Sequence, residues 1–213
     1  MIWPARDATV ALIAAMQLGA LLQVPFFAIV AVAWHRLILL GEPMTVRLGG
    51  ARPNEFAAFA RWAVAFQMVY FVPYSAIVAT MRERAAVGAE VPTGDTLALI
   101  ALSLIAVYLV TRLSLLLPAR ALGHRAVGVG DVWRVTRGNF WRLFAGSLVA
   151  LLPSYMVSAL LSSEAETRLH YAWACAAAMS TLVVSGIVEI TFLSLAYRHW
   201  FGHLLARTEP RGE

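Results

Sequence analysis

Two charged residues stand where the chain is otherwise apolar. Glu189 lies inside the run VVSGIVEITFLSLAY, nine residues before Arg198. At the rise of an α-helix this places its carboxyl roughly 13 Å below the basic end of that run. Arg112 lies in VTRLSLLLP, six residues before Pro118, and so roughly 9 Å deep on the same side. A charge inside a bilayer is costly unless it is paired, neutralised or wetted. The similar depths predict an intramembrane ion pair, Glu189 with Arg112. Such a pair can fix helix register. It can also form part of an ion or proton path, or touch a substrate. Register is the reading favoured here, because a relay across a membrane needs a chain of such groups and the sequence shows no such chain.

Other chemistry finds little support. Histidines stand at 35, 124, 170, 199 and 203, and none forms an HExxH motif. His199 and His203 could share a helix face, but no acid pair accompanies them, so no metal site is predicted. There is no GxSxG elbow, no phosphate-binding P-loop and no dinucleotide fingerprint. The single cysteine, Cys175, excludes an intrachain disulfide and reads as a small packing residue. No catalytic residue and no cofactor are predicted, and the chain is read as a non-enzyme.

The elements that carry these residues are long and apolar. Of 213 residues 61% are hydrophobic and 14% charged, against about 45–50% and about 25% in soluble domains. So few charges could not clothe a water-exposed surface. Five runs are each long enough to cross a bilayer, at about 8–34, 56–80, 96–117, 140–162 and 171–197. Pro25, Pro73 and Pro153 lie within them and predict kinks. The first run is far longer than a signal-peptide core and is read as a retained span. The expected fold is all-α: a polytopic transmembrane helix bundle of about five spans. It forms one domain over 1–200, with a polar tail at 201–213.

All seventeen basic residues are arginine, and their distribution sets an orientation. Thirteen fall in 35–61, 112–142 and 198–213; four fall in the N-terminus, 81–95 and 163–170. The positive-inside rule then puts the N-terminus outside and the C-terminus in the cytoplasm. The segment 112–142 alone holds six arginines against one acid, Asp131. Within it Asp131 is expected to cap a short interfacial helix, Val132–Arg137, that precedes span four. Arg120, Arg125, Arg134, Arg137 and Arg142 are expected to meet anionic phospholipid headgroups or a partner membrane protein. Trp34, Arg36, Trp133, Trp141, Tyr197, Arg198 and Trp200 are expected as interfacial anchors. No nucleic-acid-reading motif accompanies the basic charge.

The runs RLSLLLP (112–118), VWRVTRG (132–138) and FWRL (140–143) carry a resemblance. They resemble the bacterial multi-pass membrane domain fused to some glycerophosphodiester phosphodiesterases, and stand-alone membrane proteins of the YciC type. The likeness covers about 100–145, and elsewhere extends only to hydropathy. Members often have six spans, one more than is read here. The resemblance implies no catalytic activity, since the phosphodiesterase chemistry belongs to a separate soluble domain. The expected function is a structural, accessory or assembly role in the bacterial inner (cytoplasmic) membrane. The alternative is a small transporter or permease subunit with Glu189 in a polar path.

Overall fold

In lipid a backbone has no water to bond, so each apolar run must satisfy its own N–H and C=O groups, and a helix does so within the segment. A computed structural model of the chain describes residues 3–44, 53–86, 88, 93–162 and 168–205. Every described element is helical: α1 Trp3–Leu40, α2 Pro53–Ala86, α3 Thr93–Leu113, α4 Leu116–Ala121, α5 Val129–Thr136, α6 Phe140–Ser162 and α7 Arg168–Leu205. Four of them contain stretches long and apolar enough to cross a membrane, at Leu21–Leu40, Pro53–Met81, Thr93–Leu113 and Phe140–Val157.

The five long helices form a ring. Contacts run α1 to α2, α2 to α3, α3 to α6, α6 to α7, and α7 back to α1. The short helix α4 packs against α1, α2 and α7 at one end and closes the ring there. The main apolar core lies at this end. It joins Leu39 of α1, Leu115, Leu116, Ala119 and Leu122 in and beside α4, Val132 of α5, Leu143 of α6, and Leu193, Tyr197 and Phe201 of α7. A second cluster unites Ala28, Ala31, Phe59, Ala121 and Ile190. The small residues of α1 let α2 and α7 approach closely, which is how helices bind one another where the solvent is itself apolar.

Several boundaries depart from the sequence expectation. Span three was expected to end at Pro118, but α3 ends at Leu113, and Pro118 lies in the first turn of α4. Proline fits there because first-turn N–H groups have no intrahelical partner to lose. The short helix expected before span four begins earlier, at Val129, with Gly128 as its N-cap. Asp131 is therefore in the first turn, where its carboxylate accepts from the Gly128 N–H at 2.9 Å. Helix α7 runs past the expected end at Tyr197 to Leu205, with a kink at Phe201 (φ −118°, ψ 16°). Phe201 is buried, so the expected polar tail begins later than 201. The side chain of Cys175, the connector 163–167 and residues 206–213 lie outside the described residues.

Candidate functional site

Arg112 does not meet Glu189. Its side chain turns towards α5, where Nε donates to Thr136 Oγ1 at 3.1 Å and Nη1 donates to Tyr108 Oη at 2.9 Å. Nη2 donates to the Trp133 carbonyl. The guanidinium also lies over the Trp133 ring, 3.9 Å from its centroid, and 5.6 Å from that of Tyr108. The expected ion pair fails for a topological reason: α3 borders α2 and α6, and α6 stands between it and α7. The cation is buried without a carboxylate. Hydrogen bonds to a charged donor contribute about 1.5–3 kcal/mol each, and a desolvated cation–π contact about 2 kcal/mol. Together they offset a desolvation cost of several kcal/mol. Arg112 thus pins α5 to the end of α3.

The remaining arginines at this end divide into two groups. Arg36 is buried; it pairs with Glu42 at 2.5 Å and donates to the Ala121 carbonyl at 3.1 Å. Arg120, expected at headgroups, instead donates to the carbonyls of His124, Arg125 and Val127. It holds the α4–α5 loop in shape. Gly123 turns that loop at φ +77°, a left-handed conformation that glycine adopts without strain. Arg125, Arg137, Arg142 and Arg198 are exposed. Arg134 is exposed as well and lies 3.4 Å from Asp131. A cavity of about 290 Å³ between α5 and the end of α7 is lined by Val127, Asp131, Arg134, Val135, Phe201 and His203.

The expected anchors divide likewise. Trp141 is 73% exposed, and Trp133 and Arg198 also face outwards. Trp34 instead donates through Nε1 to Thr191 Oγ1 at 2.8 Å, tying α1 to α7. Tyr197 is fully buried, and its hydroxyl meets His124 Nδ1 at 2.8 Å. Trp200 packs against the main core. These three, with Arg36, serve packing rather than the lipid interface. Burial holds the His124 imidazole below its ordinary pKa of 6.5, and the nearby Arg36 charge acts in the same direction.

Glu189 sits in a different polar group. Ser147 of α6 offers its hydroxyl to the carboxyl. Further along α6, Tyr155 lies close to Tyr70 of α2, and Tyr74 and Glu189 are near enough to act on it electrostatically. The setting of these residues is unusual. On α2, Phe59, Phe66 and Pro73 recur every seven residues along one buried face. Tyr70 lies one turn from Phe66 on that inward face, yet it is 42% exposed, and Tyr74 is 47% exposed. On α7, Ile190, Tyr197 and Phe201 form a buried face, whereas Val183, seven residues before Ile190, is 62% exposed. Tyr70, Tyr74 and Tyr155 are each partly exposed, and Glu189 lies close to Tyr155.

Closer to α4 stands a buried pair, His35 and Ser194. His35 Nδ1 lies 2.7 Å from Ser194 Oγ, which also bonds the Ile190 carbonyl at 2.8 Å. A hydroxyl has one proton for two such contacts. With that proton on Ile190, the histidine must donate from Nδ1, which leaves Nε2 as a bare acceptor. Nε2 is buried and has no partner; the Phe59 ring lies beside the imidazole, 5.9 Å between centroids. Both residues are shut off from solvent, so the pair ties α1 to α7.

Sequence reasoning missed Tyr70, Tyr74, Tyr155, Ser147, His35 and His124. One signal was available for the tyrosines. Aromatic belts place tyrosine at span ends, whereas Tyr70 and Tyr155 fall well inside their spans. No family model, curated protein or solved structure matches the chain.

Proposed function

We propose that the chain is a non-enzymatic, five-span protein of a bacterial inner membrane, N-terminus outside, with an accessory or assembly role. In this reading α7 is the fifth span and α5 lies in the plane of the cytoplasmic surface. The observation that carries it is the unpaired positive charge at one end. Arg125, Arg137, Arg142 and Arg198 are exposed, and no acid among the described residues pairs with them. Exposed Trp133 and Trp141 lie beside them in the chain. Cations next to indoles suit a layer of anionic headgroups over acyl chains, where each basic side chain contributes about 1 kcal/mol. The resemblance over 100–145 points the same way, since it implies no chemistry for this domain. The test is the melting temperature of the chain in nanodiscs of zwitterionic lipid with and without anionic lipid. Anionic lipid is expected to raise it, less so at high salt, and less in the triple variant Arg125→Gln, Arg137→Gln, Arg142→Gln. Equal melting in both bilayers defeats the proposal.

A second reading, a small transporter or permease subunit with Glu189 in a polar path, draws on a separate observation. Glu189 is not sealed by Arg112 and lies close to Ser147 and Tyr155. Flux measurements on the chain in sealed liposomes test it.

A further inference from the structure

We infer that the cavity between α5 and the end of α7 binds a phosphoethanolamine group, with its ammonium on Asp131 and its phosphate on Arg134 and His203. The inference takes from the proposed function only the placing of α5 at headgroup level. The cavity, of about 290 Å³, has a buried apolar floor at Val127 and Phe201 and a polar rim of Asp131, Arg134 and His203. Roughly ten water molecules would fill it, so a small zwitterion fits. Arg134, His203 and the lining Ala126 are exposed, which leaves the rim within reach of a ligand. Neither charge of the rim is used up by the described residues. Asp131 accepts from the Gly128 N–H through Oδ2 at 2.9 Å, and its Oδ1 has a long contact, 3.4 Å, with Arg134. The Arg134 guanidinium keeps further N–H donors beyond that contact.

The mixed charge of the rim selects the ligand. A plain anion would meet the Asp131 carboxylate beside the guanidinium, and like charges at this range repel. A plain cation would meet Arg134 in the same way. A metal ion asks for more ligands than one carboxylate and one imidazole. A zwitterion suits both groups. Asp131 and Arg134 stand three residues apart on one helix face, a separation of about 5–6 Å at Cβ, and phosphoethanolamine holds its two charges apart by an ethylene spacer. Its ammonium has N–H groups for the carboxylate. A guanidinium grips a phosphate through paired N–H groups, and the His203 imidazole adds a further donor. The apolar floor takes the ethylene carbons. A trimethylated ammonium has no N–H to give, so choline is disfavoured. Exposed charge pairs contribute little each, so the free group binds weakly, whereas a lipid held in the leaflet presents the same group at high local concentration.

The test uses the full chain in nanodiscs that mix phosphatidylethanolamine and phosphatidylcholine of identical acyl chains in equal amounts. Native mass spectrometry of the released protein reads which lipid stays bound. Phosphatidylethanolamine is expected to be retained about threefold over phosphatidylcholine. Asp131→Asn keeps an oxygen to accept from Gly128 but removes the charge, and is expected to abolish the preference. Ala126→Phe fills the cavity from the loop, spares every charge, and is expected to do the same. Equal retention of the two lipids by the parent overturns the inference, as does a preference that survives both substitutions. In a mixture of phosphatidylethanolamine with phosphatidylglycerol, a preference for phosphatidylglycerol that Ala126→Phe removes makes the cavity a plain anion site and also overturns it. Soluble glycerophosphoethanolamine assigns the source: displacement of the bound lipid upholds the site for the free group, and no displacement upholds it for the leaflet lipid. The preference is expected to persist in the triple variant Arg125→Gln, Arg137→Gln, Arg142→Gln, so this inference and the proposed function can fail separately.

Discussion

Arg112 is a charge made tolerable by geometry rather than by an opposite charge. Its donors end on a hydroxyl, a phenol and a carbonyl, and an indole covers its face. Replacing it with glutamine leaves these groups partly unpaired and is expected to lower stability by about 2–4 kcal/mol. Lysine is not expected to restore it, since an ammonium cannot span three acceptors while stacking on a ring. Because Arg112 and Glu189 do not touch, the losses in Arg112→Gln and Glu189→Gln should add in the double variant to within about 0.5 kcal/mol, as read from detergent melts. A coupling well above that would restore the ion pair. His124 gives a second prediction at this scale. Its folded pKa lies below the ordinary 6.5, so the unfolded chain binds a proton that the folded chain resists. Its contribution to stability is fully present above 6.5 and is lost as pH falls below that value. Melting curves between neutral and mildly acid pH should show this slope, and His124→Gln should flatten it. The depth of Arg112 was legible in the sequence; its partner was not. Depth follows from position along a helix, whereas partnership depends on which helices are neighbours and how each is rotated.

Among the elements, helices were more legible than turns. The run at 140–162 coincides with α6, because Gly138 and Asn139 precede an uninterrupted apolar segment. Pro118 misled, because a proline ends one helix and opens the next with equal ease, and here α4 begins two residues before it. Close packing between helices was also hidden, since a lone glycine in a span announces no partner. Gly146 shows the point. A Cβ built there would stand 2.1 Å from the Phe192 ring, so α6 and α7 meet at that glycine with no room to spare. Gly146→Ala is expected to cost about 1–3 kcal/mol through overpacking. A second change, Phe192→Leu, should return part of that loss by withdrawing the ring. Thermal melts of the two single variants and the double variant decide it; a Gly146→Ala protein as stable as the parent would contradict the close approach.

At the scale of the molecule, the ring of five helices is finished at one end by α4. The finished end is built from distant parts of the chain. Leu39 lies near the close of α1, Leu116 and Val132 in the middle, and Leu193, Tyr197 and Phe201 near the last described residues. The segment 111–136 is folded by its own bonds, such as those of Arg120, and by contact with α7. A chain stopped after Ser194 keeps its earlier apolar stretches but loses Tyr197 and Phe201. In membrane vesicles open at the cytoplasmic face, trypsin should cut such a chain at Arg120, and should spare Arg120 in the full chain. Cutting at equal rates would show that the cap stands without α7. This arrangement has a bearing on biosynthesis. A ribosome delivers α1 before α7, so the cap stays incomplete until α7 has been made. Until then, the apolar segment 111–136 and its cations lack their cover from α7. A prematurely ended product would therefore expose a marked segment to the proteases that survey the membrane, while a finished one hides it.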